Sequence, residues 1–134
     1  MNAKDIRWKQ RFENFERAFL QLKAAVEKVE SLDDLAKEGL VQRFEYTYEL
    51  AWKTLKDFLE SKGEQEKYQR DILKKAFALE LINDGEIWLE MLEKRNEMAH
   101  TYDHETFIEV VDLIINKYFP ELEKLIHFFN SKKE

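Results

Sequence analysis

The sequence predicts an all-α protein, folded as one antiparallel up-and-down four-helix bundle with one or two extra short helices. Glycine occurs 3 times and proline once in 134 residues, and these two residue types are the strongest helix breakers. Apolar residues recur at spacings of three and four along most of the chain, which is the period of an amphipathic helix. No strand-like alternation, internal repeat or linker interrupts this pattern, so residues 1–134 are predicted to form a single domain.

The first segment is predicted to be a long helix with one apolar face. Its apolar residues follow one another at spacings of 4, 3, 4, 3, 4 and 3. They are Trp8, Phe12, Phe15, Phe19, Leu22, Val26 and Val29. Ser31 is then expected to be the N-cap of the next helix, with Asp33 and Asp34 in the first turn, where the helix dipole favours acidic residues.

The second segment shows the same pattern, with spacings of 3, 4, 3, 4 and 3. Gly39 is expected to interrupt its first turns, and Gly63 to supply the left-handed residue that ends it. Tyr46 and Trp52 lie off the apolar stripe and suit an interface. A base-stacking role for them is disfavoured, because the interleaved glutamates repel phosphates. The inward stripe consists of Val41, Phe44, Tyr48, Ala51, Leu55 and Phe58.

Two shorter helices are predicted after the polar stretch 64–69, separated by a turn at residues 83–85. The first is marked by Ile72, Leu73, Ala76, Phe77, Leu79 and Leu81. The second begins at about Glu86 and ends near residues 100–103. Its inward residues are Trp88, Met91, Leu92, Met98 and Ala99.

A fifth helix is predicted to start after Asp103, which is a good N-cap, with Glu105 in its first turn. Pro120 cannot lie undisturbed inside this helix. It either kinks the helix or occupies the first turn of a separate helix from Pro120 to Asn130. The inward stripe of the fifth helix is Phe107, Val111, Ile115 and Tyr118.

Composition excludes several classes of protein. The net charge of −6 argues against a general nucleic-acid coat protein, so any phosphate chemistry needs a local cationic site. The absence of cysteine excludes disulfides and thiolate metal sites and suits the cytoplasm. No apolar run is long enough to span a bilayer, and residues 1–5 do not resemble the apolar region of a signal peptide, so neither export nor a membrane partner is expected. The aromatic fraction of 13% suggests self-association.

The sharpest chemical feature is the cluster Arg95-Asn96-x-x-x-His100-x-Tyr102. Arg95 falls on the apolar stripe of its helix, where a charge needs a partner. That partner is either a carboxylate of a neighbouring helix, for example Glu45 or Glu49, or a bound anion.

The other residues of the cluster favour phosphate chemistry. Asn96 and His100 are four residues apart and share a helical face. His100 is expected at the helix C-terminus, where the dipole favours the imidazolium, and Tyr102 follows in the turn. Arginine binds non-bridging phosphate oxygens and histidine moves a proton near neutral pH, which is what attack of an RNA 2′-hydroxyl on its own phosphate requires. No metal or other cofactor is needed for this reaction.

A metal site is the weaker alternative. His100 and His104 are four residues apart, and Asp103 and Glu105 could add oxygen ligands. A helix break is expected between the two histidines, and no third ligand at the usual spacing follows.

The cluster resembles the R-N-x-x-x-H-x-Y signature of the HEPN superfamily. Nearly the whole chain more closely resembles the nucleotidyltransferase substrate-binding protein family. Besides the cluster, the resemblance lies in residues 42–57, which include the run Phe44-Glu45-Tyr46-Thr47-Tyr48-Glu49-Leu50-Ala51-Trp52, in Arg70-Asp71 with Ala76-Phe77, and in the segment from Asp84-Gly85 through Trp88 to Tyr102-Asp103.

The resemblance implies a homodimeric helical bundle whose partner is a small, separately encoded minimal nucleotidyltransferase. In the toxin branch, called HepT, it implies a metal-independent ribonuclease site in a dimer cleft. Arg95 would then stabilise the phosphate, His100 would act as general acid and base, and Asn96 would orient the substrate or His100. Tyr102 would be the residue that the partner nucleotidylates to silence the toxin.

Three functions remain open at this point. They are a HEPN ribonuclease toxin of a type VII-like toxin–antitoxin pair, a non-catalytic subunit that presents a substrate or nucleotide to a nucleotidyltransferase, and a structural helical dimer with a vestigial site. The chain itself is not expected to be a nucleotidyltransferase, because it has no Gly-Ser followed by Asp-x-Asp.

Overall fold

A computed structural model of the chain describes residues 2–98 and 103–133, apart from the side chains of residues 96–98. Every regular element in these residues is helical, which confirms the all-α class. A 3-10 turn, Val29–Ser31, follows the first helix, and a π-helical turn, Ile114–Tyr118, joins the last two. In chain order the helices are α1 Ala3–Glu27, α2 Asp34–Ser61, α3 Gln69–Ala78, α4 Gly85–Met98, α5 His104–Leu113 and α6 Phe119–Lys132.

The two longest helices, α1 and α2, form an antiparallel hairpin. Arg11, early in α1, donates from Nε to Oδ2 of Asp57, late in α2, at 2.9 Å. At the other end of the hairpin, Nη1 of Arg43 donates to the main-chain oxygen of Gln21 at 2.7 Å. Because Asp57 is buried, its carboxylate needs this partner, and Arg11 supplies it.

The predicted inward faces of α1 and α2 form most of the core. Five of the seven predicted α1 residues are buried, whereas Val26 and Val29 are only partly buried and Ala25 takes the inward position. In α2, Val41 is partly buried. The predicted residues that are buried are Trp8, Phe12, Phe15, Phe19, Leu22, Phe44, Tyr48, Ala51, Leu55 and Phe58.

Aromatic rings connect α1 and α2 to α6. Phe129 of α6 lies 5.6 Å from Trp8 and 5.4 Å from Phe12, measured between ring centroids. It also contacts Phe58 of α2 edge-on at 5.5 Å. Buried aromatic pairs at these separations stabilise beyond the area that they bury, so this cluster holds three helices together at one end of the molecule.

The start of α2 differs from the prediction. Asp33, and not Ser31, is the N-cap: its side chain accepts a hydrogen bond from the backbone N–H of Ala36 at 2.8 Å. Ser31 lies in the 3-10 turn, where its hydroxyl donates to the main-chain oxygen of Lys28. Gly39 does not interrupt α2, which is continuous from Asp34. Gly63 follows the C-cap of α2 with φ of 87°, so its left-handed conformation is confirmed.

The structure shows which of the two predicted positions Pro120 takes, a kink in the fifth helix or the first turn of the next helix. Pro120 lies in the first turn of α6, and the backbone before it stays helical through the π turn. Of the predicted inward residues, Val111 and Tyr118 are buried, whereas Phe107 and Ile115 are only partly buried. Val110 and Ile114, each next to a predicted position, are buried as well. Asp103 caps α5 as predicted.

None of the helices in the described ranges combines the length and the apolar character that crossing a bilayer requires.

Candidate functional site around Arg95

The structure places one member of the predicted cluster in full. Arg95 lies in the last turn of α4. Asn96 belongs to the same helix, but its side chain lies outside the described residues. His100 and Tyr102 also lie outside them, so the positions predicted for these side chains stay predictions.

Arg95 forms an ion pair with Glu49 of α2. Nη2 of Arg95 lies 2.9 Å from Oε2 of Glu49, and the two side chains are 32% and 26% exposed. Of the partners that the sequence predicted for Arg95, a neighbouring carboxylate is confirmed, and Glu49 rather than Glu45 supplies it. The pair joins the site end of α4 to the middle of α2.

The Glu49 carboxylate is also held by its own helix. Nε1 of Trp52 donates to Oε2 at 3.1 Å, and Nζ of Lys53 lies 3.4 Å from Oε1. Two cations and one neutral donor therefore surround a single carboxylate, which leaves the trio of Arg95, Lys53 and Glu49 with a net positive charge. The objection that Glu49 repels phosphates does not apply to a carboxylate neutralised in this way.

Glu45 lies one helical turn before Glu49 and differs from it in its contacts and in the pKa of its carboxyl. Burial raises the pKa of its carboxyl above the usual value, and the charge of Arg95 acts in the opposite direction without cancelling the effect. Within residues 2–98 and 103–133 its side chain makes no hydrogen bond or ion pair. Glu45 therefore affects Arg95 through charge and not through contact.

Tyr48, between these two glutamates in sequence, is completely buried. Its ring lies 6.2 Å from that of Phe44 and 6.3 Å from that of Trp88. In the part of the chain that the structure describes, its hydroxyl has no hydrogen-bond partner. Burial holds the pKa of this phenol well above its usual range, although the charge of Arg95 favours ionisation.

The sequence predicted Tyr48 only as a core residue. Its hydroxyl, which the charge of Arg95 reaches, was missed, and the choice of tyrosine over phenylalanine at a buried position was its only signal. Arg70 was missed as a site residue as well. It lies in the first turn of α3, its Nη2 is 3.8 Å from Oε1 of Glu93, and its charge also reaches Tyr48.

The arrangement is suited to binding an anion. A guanidinium has five N–H donors in a planar fork, so an ion pair through one Nη leaves donors for phosphate oxygens. Partial burial strengthens such contacts, because the local dielectric is lower than in water. Among the described side chains, no group of three or more histidine, aspartate or glutamate residues is placed to hold a metal ion.

Comparison with known proteins assigns the family. The sequence matches the family described as nucleotidyltransferase substrate binding protein like over residues 10–131. The chain belongs to the nucleotidyltransferase substrate-binding protein family. It is also 30% identical, over 97 residues, to a probable ribonuclease HepT of Haemophilus influenzae (strain ATCC 51907 / DSM 11121 / KW20 / Rd), and this match covers 66% of each protein. Together the two matches place the chain among the HepT-like HEPN proteins, as the cluster around Arg95 predicted.

Because the buried hydroxyl of Tyr48 has no partner within the described ranges, it leads to a stability prediction for this family member. Tyr48→Phe is expected to raise the free energy of unfolding by about 1 kcal/mol, because a buried polar group without a partner destabilises the folded state. Tyr118→Phe is the matched control. Its hydroxyl is equally buried but donates to Oε2 of Glu90 at 2.5 Å, so its loss is expected to lower the free energy of unfolding by about 1–2 kcal/mol.

Urea unfolding followed by circular dichroism measures both changes. A loss of stability in Tyr48→Phe as large as that in Tyr118→Phe would mean that the Tyr48 hydroxyl has a partner in solution.

Proposed function

We propose that this protein is a metal-independent HEPN ribonuclease, the toxin of a type VII-like toxin–antitoxin pair, acting in the cytoplasm with a separately encoded minimal nucleotidyltransferase as its partner. The observation that carries the proposal is the arginine of the R-N-x-x-x-H-x-Y signature, held by Glu49 in a locally cationic site. The similarity to a probable ribonuclease HepT of Haemophilus influenzae supports the same activity.

Three residues of the cluster take part in the proposed cleavage. His100, as general base, takes the proton of the RNA 2′-hydroxyl, and the 2′-oxygen forms a bond to the neighbouring phosphorus. The bond from phosphorus to the 5′-oxygen breaks, and the leaving oxygen takes a proton from an imidazolium. Arg95 stabilises the negative charge that develops on the non-bridging oxygens. Asn96 orients the substrate or His100.

The proposed scaffold is an antiparallel four-helix bundle formed by α1, α2, α4 and the continuous α5–α6 segment, assembled as a homodimer. Two copies of the site facing each other across a dimer cleft would bring two Arg95 side chains together. That would concentrate positive charge at the substrate, although the chain as a whole carries a net charge of −6.

The second candidate is a non-catalytic subunit that presents a substrate or nucleotide to the nucleotidyltransferase. The description of the family favours this function. A cationic site that binds phosphate serves either function, and only the proton transfer by His100 distinguishes them.

The first prediction from this proposal concerns His100. Expression of the wild type without its partner is expected to arrest growth and to produce RNA fragments that end in 2′,3′-cyclic phosphates, whereas His100→Ala is expected to do neither at matched expression. His104→Ala is the control, because His104 is exposed and outside the cluster. Growth curves and mapping of RNA ends measure the result. Wild type as harmless as His100→Ala would contradict the ribonuclease and favour the presenting subunit.

The second prediction concerns the partner. When the protein is co-expressed with a minimal nucleotidyltransferase encoded beside it, the two are expected to purify together. The wild type is expected to gain the mass of one or more nucleotidyl groups, and Tyr102→Phe is expected to bind the partner without this gain. Intact-mass spectrometry measures the modification. If the two proteins do not co-purify, the partnership is contradicted, and equal modification of Tyr102→Phe would exclude Tyr102 as the acceptor.

A further inference from the structure

We propose that Glu49 is a positioning residue for Arg95: its carboxylate holds the guanidinium in the orientation in which that group binds the scissile phosphate of single-stranded RNA. The inference rests on the proposed ribonuclease function and extends it to a residue on a different helix, outside the R-N-x-x-x-H-x-Y cluster.

Glu49 is fixed independently of Arg95. The indole N–H of Trp52 and the ammonium group of Lys53 hold the two carboxylate oxygens at 3.1 and 3.4 Å, and both residues belong to the same helix as Glu49. Arginine has a long side chain that loses up to about 2 kcal/mol of rotamer entropy when it is ordered. A carboxylate that is already held can order it before substrate arrives.

The ion pair leaves Arg95 able to bind an anion. The 2.9 Å contact involves Nη2, and no other ion pair of Arg95 occurs among the described side chains. Arg95 and Lys53 carry two positive charges against the one negative charge of Glu49, so the trio still attracts phosphate. Oε2 of Glu49 also accepts from Trp52, which spreads its negative charge over two donors.

A purely structural role explains less of the arrangement. Ion pairs at this degree of exposure contribute little to stability, whereas two donors of α2 and the arginine of the cluster converge here on one carboxylate. Displacement of a reacting group by about 1 Å costs as much as 100-fold in rate. The ion pair between Glu49 and Arg95 is therefore expected to affect the cleavage rate, through the orientation of Arg95, more than it affects stability.

Glu45 provides a matched control on the same helix. It is the same residue type, lies one turn away and is close enough to Arg95 for its charge to matter, but it does not contact the guanidinium. Glu45→Gln and Glu49→Gln remove the same side-chain charge from the surroundings of Arg95. Only Glu49→Gln weakens the contact that holds it.

The kinetic test is cleavage of a fluorescent single-stranded RNA oligonucleotide by the wild type and both variants. Glu49→Gln is expected to lower kcat by roughly 10- to 100-fold with little change in KM. Glu45→Gln is expected to keep kcat within about twofold. Trp52→Phe, which removes the N–H that holds Glu49 and keeps an aromatic ring in its place, is expected to lower kcat by a smaller factor. In an Arg95→Ala background, Glu49→Gln is expected to cause no further loss, because the group that it positions is absent.

Two kinetic outcomes would overturn the proposal. Equal effects of Glu49→Gln and Glu45→Gln on kcat would mean that Glu49 acts through charge alone. A full further loss in the Arg95→Ala background would mean that Glu49 acts independently of Arg95.

A second readout does not depend on cleavage. The ¹⁵N relaxation of the Arg95 side-chain Nε–H is expected to report a rigid guanidinium in the wild type and in Glu45→Gln, and a mobile one in Glu49→Gln and Trp52→Phe. If the wild type cleaves no RNA, the proposed function fails while this measurement still decides the positioning role. An Arg95 side chain equally rigid in Glu49→Gln would overturn that role.

Discussion

The site depends on one interaction, the ion pair between Arg95 of α4 and Glu49 of α2. It fixes the arginine of the cluster to the helix that contributes most to the core, so the guanidinium is placed relative to the whole bundle. Without it, Arg95 would be a long cation near the end of a 14-residue helix. The same pair allows a charged group to occupy the apolar stripe of α4, because a partly buried charge requires a partner.

The core supports this interaction by holding α2 in place. The antiparallel α1–α2 hairpin, the ion pair between Arg11 and the buried Asp57, and the aromatic cluster around Phe129 all contact α2. Tyr48, the residue before Glu49, belongs to the buried face of α2, and its hydroxyl has no hydrogen-bond partner among the described residues. Local costs of this kind are expected at functional sites, where stability is not the only constraint.

Apolar periodicity predicted the features that a single helix determines, such as its buried face, and not the contacts between helices. The buried faces of α1 and α2 follow directly from apolar spacing, because every side chain on such a face has the same choice between core and water. The partner of Arg95 was predicted only as a pair of alternatives. Glu45 and Glu49 are one turn apart on one face, and the choice between them depends on the offset of α4 along α2, which neither helix determines alone.

Two other differences between the sequence-based prediction and the structure concern local turns. The π turn before Pro120 was not predicted, because apolar spacing does not distinguish it from an ordinary helical turn. Ser31 and Asp33 are both suitable N-cap residues. Because Ser31 lies within the 3-10 turn that precedes α2, Asp33 is the N-cap. The family could be recognised from the sequence because its signature residues occur at a defined spacing. The hydroxyl of Tyr48 could not be predicted in this way, because tyrosine and phenylalanine count equally in an apolar pattern.

The central claim, that Arg95 binds the scissile phosphate, is tested most directly by replacing one non-bridging oxygen of that phosphate with sulfur. The account predicts that the wild type cleaves one of the two diastereomers more slowly than the all-oxygen RNA. It also predicts that Arg95→Ala, although slow, cleaves both diastereomers at the same rate. A preference between diastereomers that persists undiminished in Arg95→Ala would show that another group contacts the phosphate and would contradict the account.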